Sequence, residues 1–389
     1  MKLKSNSYLF QGAKIFGKAG NWDISINQGT IENIKKSSKK DGGFITPRFS
    51  DIHVHLDKTG TAKRIPQRAT SLFDAIDLMH KDKINWTEED IYFRANKAVK
   101  TAFNRGTGFL RTHVDWENEN CPLAWKVIND IKFKWAGRVA IQMCSLTSID
   151  VLESVGEIIA KKIKSDGGIL GAFIYRNERL DEKIRVAFEL AAKYDLELDF
   201  HVDEGLDRQA EGFDLIVKST KDFGMGGKVL CGHACSLSIR DEAEVSKIIK
   251  NAAEAKVGLT CLPTTNLWLQ DNIEGRTPRL RGLTPVQEAR SAGIQVMFAS
   301  DNCQDPFYPF GDHNILSTLK TAVIGAHLNE SEWLDSISTI PAKWMGFKNL
   351  ISVGAEASFI KFNVQSVYDL FSGVDFKYEV WSNGKLVQN

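Results

Sequence analysis

Eight short apolar runs, rich in β-branched residues and separated by longer stretches of helical period, constrain this chain more than any other feature. They are DIHVHLD (51–57), GFLRTHVD (108–115), RVAIQMCSL (138–146), GILGAFIY (168–175), LELDFHVDE (196–204), KVLCGHAC (228–235), VGLTCLPTTN (257–266) and IQVMFASDN (294–302). Runs of this length and composition read as strands. The segments between them, such as EEDIYFRANKAVKTAFNRG, DEKIRVAFELAAKYD and RDEAEVSKIIKNAAEAK, repeat apolar residues three and four apart, so each buries one helical face. A strand followed by a crossover helix returns to its sheet in parallel. Eight such units predict an α/β fold, a (β/α)8 TIM barrel, rather than a doubly wound sheet.

The two ends have a different texture. Residues 1–47 and 355–389 read as short strands joined by turns, with Ser382-Asn383-Gly384 as a hairpin signal. Neither piece is large enough to bury a core alone. The expectation is one small β-sandwich domain formed by both termini, beside a barrel domain spanning 48–354. The longest irregular stretch, LWLQDNIEGRTPRLRG (267–282), follows a strand and is a candidate lid over a site.

Composition narrows the class of partner. Fifty Lys and Arg against 49 Asp and Glu leave a net charge of +1, with no basic stripe for nucleic acid and no excess charge for an anionic membrane surface. There is no apolar run long enough to span a bilayer, and MKLKSNSYLFQGAKIFG breaks its apolar letters too often for a secretory signal. The six cysteines (Cys121, Cys144, Cys231, Cys235, Cys261, Cys303) include no C-x-x-C pair. That pattern fits reduced thiols in a cytoplasmic protein, and it lacks the P-C-x-x-C zinc signature of the cytidine-type deaminases.

In a barrel, chemistry collects at the C-terminal ends of the strands. The unusual letters collect there too: His53 and His55 end the first strand, His113 and Asp115 the second, His201 and Glu204 the fifth, His233 the sixth and Asp301 the eighth. His53 and His55 share one face of a strand while Ile52, Val54 and Leu56 take the other. His53, His55, His201 and Asp301 together make a nitrogen-rich set with one carboxylate, suited to a single Zn²⁺ or Fe²⁺ ion, with Mn²⁺ as a further option. Such an ion brings a water's pKa toward neutrality. Asp301 is then placed to accept the water's proton, Glu204 to protonate a ring nitrogen of the substrate, and His233 to hydrogen-bond the water or the developing oxyanion. Trp268 and Phe307 are candidate stacking residues for a flat ring, and Gln270 and Asn302 candidate polar contacts. Lys58 and His113 stand beside the metal pair, Lys58 in reach of a substrate carbonyl or of an ion pair with Asp57 or Asp115.

The chain resembles the cytosine deaminase branch of the amidohydrolase superfamily. The resemblance runs nearly end to end and is carried by ITPRFSDIHVHLDKTGTA, LRTHVDWEN, LDFHVDEGLDRQ, the CGH of strand 6, NLWLQ with PRLRG, and FASDNCQDPFYPFGDHN. It implies one divalent metal on His53, His55, His201 and Asp301, catalytic roles for Glu204 and His233, and a terminal β-sandwich. It implies no metal-bridging lysine at strand 4, and GAFIYRN has none. Two departures bear on substrate. Relatives that act on cytosine present a glutamine after strand 3 where this chain has Leu146, and a second Asp after the strand-8 ligand where it has Asn302. A tryptophan in their D-P-W-Y-P is Phe307 here. Ser-Asp-Asn also occurs in relatives acting on triazine rings. Sites that read a base by paired hydrogen bonds discriminate steeply, so such changes move specificity.

These readings converge on a metal-dependent hydrolytic deaminase of a small nitrogen heterocycle, cytosine or a related pyrimidine or cyclic amidine, in which metal-bound hydroxide attacks the ring carbon bearing the amino group. The alternatives are a cyclic amide hydrolase or an N-substituted triazine aminohydrolase of the same fold. The expected partner is a small heterocyclic substrate, with no nucleic acid and no membrane, and the expected assembly is a homo-oligomer of undetermined order.

Overall fold

The computed structural model describes residues 7–373 and 375–387. Eight strands lie in chain order in one parallel sheet: β5 (Phe49–Val54), β6 (Thr107–Asp115), β7 (Ala140–Ser148), β8 (Leu170–Ile174), β9 (Leu198–Val202), β10 (Val229–His233), β11 (Gly258–Cys261) and β12 (Val296–Phe298). The sheet closes where Asp301 N–H donates to His53 C=O at 2.9 Å and Val54 bridges in parallel to Asp301. Helices α1 (Leu72–Asp82) and α2 (Glu88–Asn104) follow β5, and α3 (Leu123–Trp135), α4 (Ile149–Asp166), α5 (Leu180–Tyr194), α6 (Gly212–Asp222) and α7 (Glu242–Ala255) follow the next five strands. The chain is thus a (β/α)8 barrel, as the alternation predicts.

Local chemistry accounts for the helix ends. Ser71 and Thr87 accept from the N–H groups of Asp74 and Asp90 and cap α1 and α2, and α4 stops at Gly167, whose φ of 64° is the left-handed turn that glycine adopts without strain. Strand alternation then sorts the side chains. Leu198, Phe200 and Val202 of β9 enter the large apolar cluster between sheet and helices, while Asp199 and His201 between them meet Arg111 and His113 of β6. Apolar burial of the outer set stabilises the barrel; the inner set is left for polar work.

Two strands are shorter than expected: β12 is only Val296–Phe298 of the stretch 294–302, and β11 stops early. VGLTCLPTTN is not extended throughout: β11 ends at Cys261, and Pro263 opens a seven-residue helix, α8 (Pro263–Leu269). Proline lacks the N–H that a further ladder bond needs, and its φ suits the first turn of a helix.

The terminal pieces, expected as a β-sandwich, form instead a single second sheet of seven strands. β1 (Ser7–Ile15), β2 (Asn21–Asn27), β3 (Thr30–Lys36) and β4 (Phe44–Pro47) join β13 (Phe359–Phe362), β14 (Tyr378–Ser382) and β15 (Lys385–Leu386) in the order β15-β14-β13-β4-β1-β2-β3. The β4–β13 pairing ties the two ends of the chain, and Ile24, Ile26, Ile45, Phe359 and Trp381 make its apolar core. Residues 1–6, 374, 388 and 389 of the expected terminal unit lie outside the described residues.

Candidate active site

The bond that closes the barrel also assembles the polar cluster, because it fixes Asp301 next to the strand that carries His53 and His55. Asp51 reinforces it, accepting from Ser300 N–H at 3.0 Å and from Ser300 Oγ at 2.5 Å. His53 Nε2 lies 2.9 Å from His201 Nε2, His201 Nε2 lies 3.3 Å from His55 Nε2, and Asp301 Oδ1 lies 3.1 Å from His55 Nε2 and 3.6 Å from His53 Nε2. Four donor atoms from three separate elements therefore face one point. All four residues are buried.

This arrangement fits a divalent ion. Ligands about 2.0–2.1 Å from a tetrahedral ion stand roughly 3.3 Å from one another, and the four spacings above bracket that figure. Burial and the crowding of imidazoles hold His53 and His201 well below the usual histidine pKa, and burial with the Lys58 charge does the same for His55, so all three rings are neutral and carry lone pairs. Neither carboxylate oxygen of Asp301 has a hydrogen-bond partner among the described residues. Burial raises the Asp301 pKa, and a bound cation would relieve the same cost while keeping the carboxylate charged.

Two further groups face the same space. Glu204, three residues beyond His201, is buried, and burial followed by the nearby Asp301 carboxylate raises its pKa well above the ordinary value, which favours the protonated form. His233 takes a left-handed φ of 71° at the end of β10, and Asp301 one of 59° past β12. Such conformations are costly away from glycine and concentrate at functional positions. Asn266 Nδ2 lies 3.1 Å from His233 Nδ1, and Thr284 Oγ1 donates to His233 C=O at 2.6 Å. With Nδ1 accepting from the amide, Nε2 carries the hydrogen and points away from Asn266.

A cavity of about 330 Å³ opens over the cluster. His55, Lys58, Asp115, His201, Glu204, His233, Asp301, Asn302 and Phe307 are on its lining. Lys58 Nζ lies 2.7 Å from Asp115 Oδ1, and Lys83 Nζ reaches Asp115 Oδ2 at 3.1 Å. Burial works against the Lys58 charge, but Asp115 and Asp57 outweigh it and hold its pKa above the ordinary value. Lys58 also sits over the Phe307 ring, 5.3 Å from its centre.

Leu146, Asn302 and Phe307 thus line the cavity that the metal-ligand candidates face. Trp268 and Gln270 do not. The turn of α8 carries Trp268 away, to pack edge-on against Phe310 at 5.2 Å, and Gln270 donates to the Glu204 carbonyl instead of facing the cavity. No residue of the 267–282 stretch is on the cavity lining, to which α1 contributes Leu72, Phe73, Ile76, Met79 and His80. His113 lies beneath the cluster, its ring 4.0 Å from that of His53, with Nε2 3.3 Å from Asp199 Oδ1.

Sequence reasoning passed over Asn266, Asp305 and the inward stripe of α1. The stripe was visible as LFDAIDLM, with apolar residues at 72, 76 and 79, but an apolar helical stripe ordinarily means core. Asn266 sat in a segment read as strand.

Residues 158–388 match the Amidohydrolase family. The chain is 30% identical over 384 residues to pterin deaminase of Rhizobium rhizogenes, an alignment covering 94% of this chain and 87% of that protein. It is 25% identical over 327 residues to N-isopropylammelide isopropyl amidohydrolase of Pseudomonas sp., covering 80% of this chain and 76% of the other. Its fold superposes on the crystal structure of 5-methylcytosine deaminase from Klebsiella pneumoniae liganded with 5-fluorocytosine with a TM-score of 0.88 at 24% identity, over 98% of this chain and 97% of that one.

Proposed function

We propose, because this chain belongs to the amidohydrolase family, that it hydrolytically removes an amino group from a small nitrogen heterocycle with one divalent metal ion held by His53, His55, His201 and Asp301. The observation that carries this reading is the convergence of three imidazole Nε2 atoms and one carboxylate on a single point in the cavity that Glu204 and His233 also line. A donor set of three imidazoles and one carboxylate supports Zn²⁺ or Fe²⁺ as the ion.

The ion, when bound, supplies a nucleophilic water at neutral pH. Glu204 holds a proton and delivers it to the ring nitrogen next to the carbon under attack, which makes that carbon more electrophilic. Asp301 takes one proton of the attacking water and passes it to the departing amine, and Glu204 regains its proton from the remaining hydroxyl as the carbonyl forms. His233 donates from Nε2 to the oxygen as negative charge develops on it. Phe307 covers one face of the flat ring, and Asn302 meets its edge. Six free cysteines, five of them buried, support a reducing, cytoplasmic setting, and among the described residues no helix is long and apolar enough to cross a membrane.

The test is metal analysis of the purified protein together with ammonia release from a panel of amino-pyrimidines, amino-triazines and amino-pteridines. One divalent ion per chain with ammonia from at least one member is the expected result. Metal bound and no ammonia from any member overturns the reading, and product mass separates exchange of the amino group for oxygen from ring opening by added water.

A further inference from the structure

A second cleft, of about 620 Å³, lies at the other end of the barrel, where the starts of β6 and β7 meet the segment that leads into β13. Gly108, at the start of β6, is on its lining, whereas His113 and Asp115 end the same strand. The rise of a strand therefore sets the cleft roughly 20 Å from the rim that carries the metal-ligand candidates. Its charged residues are Arg48, Arg138, Lys348 and Glu356, a net of two positive charges, and none of the four forms an ion pair among the described residues.

Arg48 is the fixed part. It stands between β4 and β5 and is 2% exposed; Nε donates to Gly106 C=O at 2.8 Å, Nη2 donates to Thr107 C=O at 2.6 Å, and Asn349 Nδ2 donates to the Arg48 carbonyl at 2.6 Å. One edge of the guanidinium is thus held by backbone. The two N–H groups of Nη1 have no acceptor among the described residues, and Nη1 is not sealed from solvent. Gly108 leaves room for this placement, since a Cβ there would stand 3.1 Å from Arg48 Cβ and 3.6 Å from Cζ. Burial draws the Arg48 pKa down to about 10, so the charge persists at neutral pH. Buried arginines are ordinarily paired with an acid, and this one is not.

The rest of the lining narrows what could meet that charge. A phosphate monoester carries about −1.5 to −2 near neutrality, which balances the cleft's excess, and guanidinium N–H groups match phosphate oxygens in geometry. Phe109, Leu350 and Val353 add hydrocarbon to the same lining, Leu350 and Val353 being exposed, so an organic group attached to the phosphate has apolar surface to cover.

We propose that this cleft is a binding site for an organic phosphate monoester, with Arg48 as the preorganised donor and Arg138 and Lys348 as the mobile cations that complete the charge. The proposal is independent of the aminohydrolase reading.

Phenyl phosphate, titrated calorimetrically into the metal-loaded protein, is the probe. One molecule per chain with a Kd of about 1 mM or below is expected. The double variant Arg138→Ala/Lys348→Ala, at two exposed positions, is expected to weaken binding about tenfold or more, and Arg48→Met to abolish it; should Arg48→Met fail to fold, the double variant decides alone. Folded Asp301→Ala, altered only at the opposite end of the barrel, is expected to bind as wild type does, and phenol, which lacks the phosphate, not to bind. No binding of phenyl phosphate up to about 10 mM, an unchanged Kd in the double variant, loss of binding in folded Asp301→Ala, or phenol binding as tightly as phenyl phosphate each overturns the proposal.

Discussion

Asn302 donates from Nδ2 to Asp305 Oδ2 at 2.7 Å, while the other oxygen of Asp305 accepts from the backbone N–H groups of Phe307 at 2.9 Å and Tyr308 at 3.2 Å. One buried carboxylate thereby sets the orientation of the Asn302 amide and the path of the segment carrying Phe307. An Asn at this position can in principle donate or accept. With one N–H committed to Asp305, Asn302 keeps its carbonyl oxygen as a free acceptor, the capacity that an aspartate would have supplied.

Asp305→Ala removes three hydrogen bonds from a buried loop. Each donor left without a partner costs on the order of 1–3 kcal/mol, so a melting temperature several degrees lower is expected. Because the amide and the Phe307 ring lose their positions together, KM for a deaminated heterocycle is expected to rise about tenfold or more, with kcat falling less. Steady-state kinetics beside a melting curve checks this; a lower melting temperature with unchanged KM would make Asp305 merely structural.

Gly232→Ala tests the packing behind the metal-ligand candidates. A Cβ at 232 would stand 3.0 Å from His53 Cε1 and 3.1 Å from His53 Nδ1, tighter than ordinary contact, so the ring has to yield by a few tenths of an ångström. A misplacement of about 1 Å at a reacting centre can cost about a hundredfold, so a shift of a few tenths costs less. The expected outcome is weaker metal retention under a competing chelator and a roughly tenfold loss of kcat, with an unchanged circular dichroism spectrum. Full metal retention and full activity would show that His53 is not held against β10.

Glu204→Gln keeps the shape and removes the transferable proton. Loss of a general acid lowers kcat by about 10²–10⁴-fold, and metal content is expected to stay at the wild-type level because Glu204 is not among the four ligand candidates. The sign of the pH effect follows from the raised pKa. The protonated form works, so wild-type activity falls as pH rises through that pKa, and the variant loses this limb of the profile. An identical limb in Glu204→Gln would assign the ionisation to another group.

Asp199→Ala probes the layer under the site. Arg111 is fully buried and donates from Nη1 to Asp199 at 2.8 Å, from Nη2 to Glu197 at 3.1 Å, and from Nε to Gln142 at 3.0 Å. Removing one partner of a buried ion pair typically costs about 3–5 kcal/mol, since the remaining charge is left in a poor solvent. A large fall in the urea midpoint is expected, and Asp199→Asn, which keeps an acceptor, is expected to restore part of it. A midpoint within experimental error of wild type would mean that Glu197 and Gln142 suffice for Arg111.

The barrel was legible because its information is local and repeated. A strand of alternating burial and a helix with one apolar stripe each carry their own period, and the segments read as helices at 88–106, 181–195 and 240–256 match Glu88–Asn104, Leu180–Tyr194 and Glu242–Ala255 closely. The cluster of candidate ligands was legible for a related reason: strand order places the C-terminal ends of all eight strands on one rim, so residues far apart in sequence need only end their strands to meet. Trp268 shows where this logic stops. Its placement depended on whether residues after Cys261 continue as strand or turn into helix, and Pro263 decided for helix.

The amino-acid sequence on its own determined the alternating architecture and the rim on which His53, His55, His201, Glu204, His233 and Asp301 stand, because periodicity and parallel topology suffice to deduce them, and it brought the two termini together because neither is large enough for a core, though as a sandwich and not the single sheet observed. Tertiary structure alone decided that α1 and not the 267–282 stretch lines the cavity, that Asp305 directs the Asn302 amide, and that Gln270 turns to the Glu204 backbone. Those outcomes rest on contacts between segments whose local patterns permit several partners, and the choice among them is made only when the whole chain competes for the same buried space and the same few hydrogen-bonding groups.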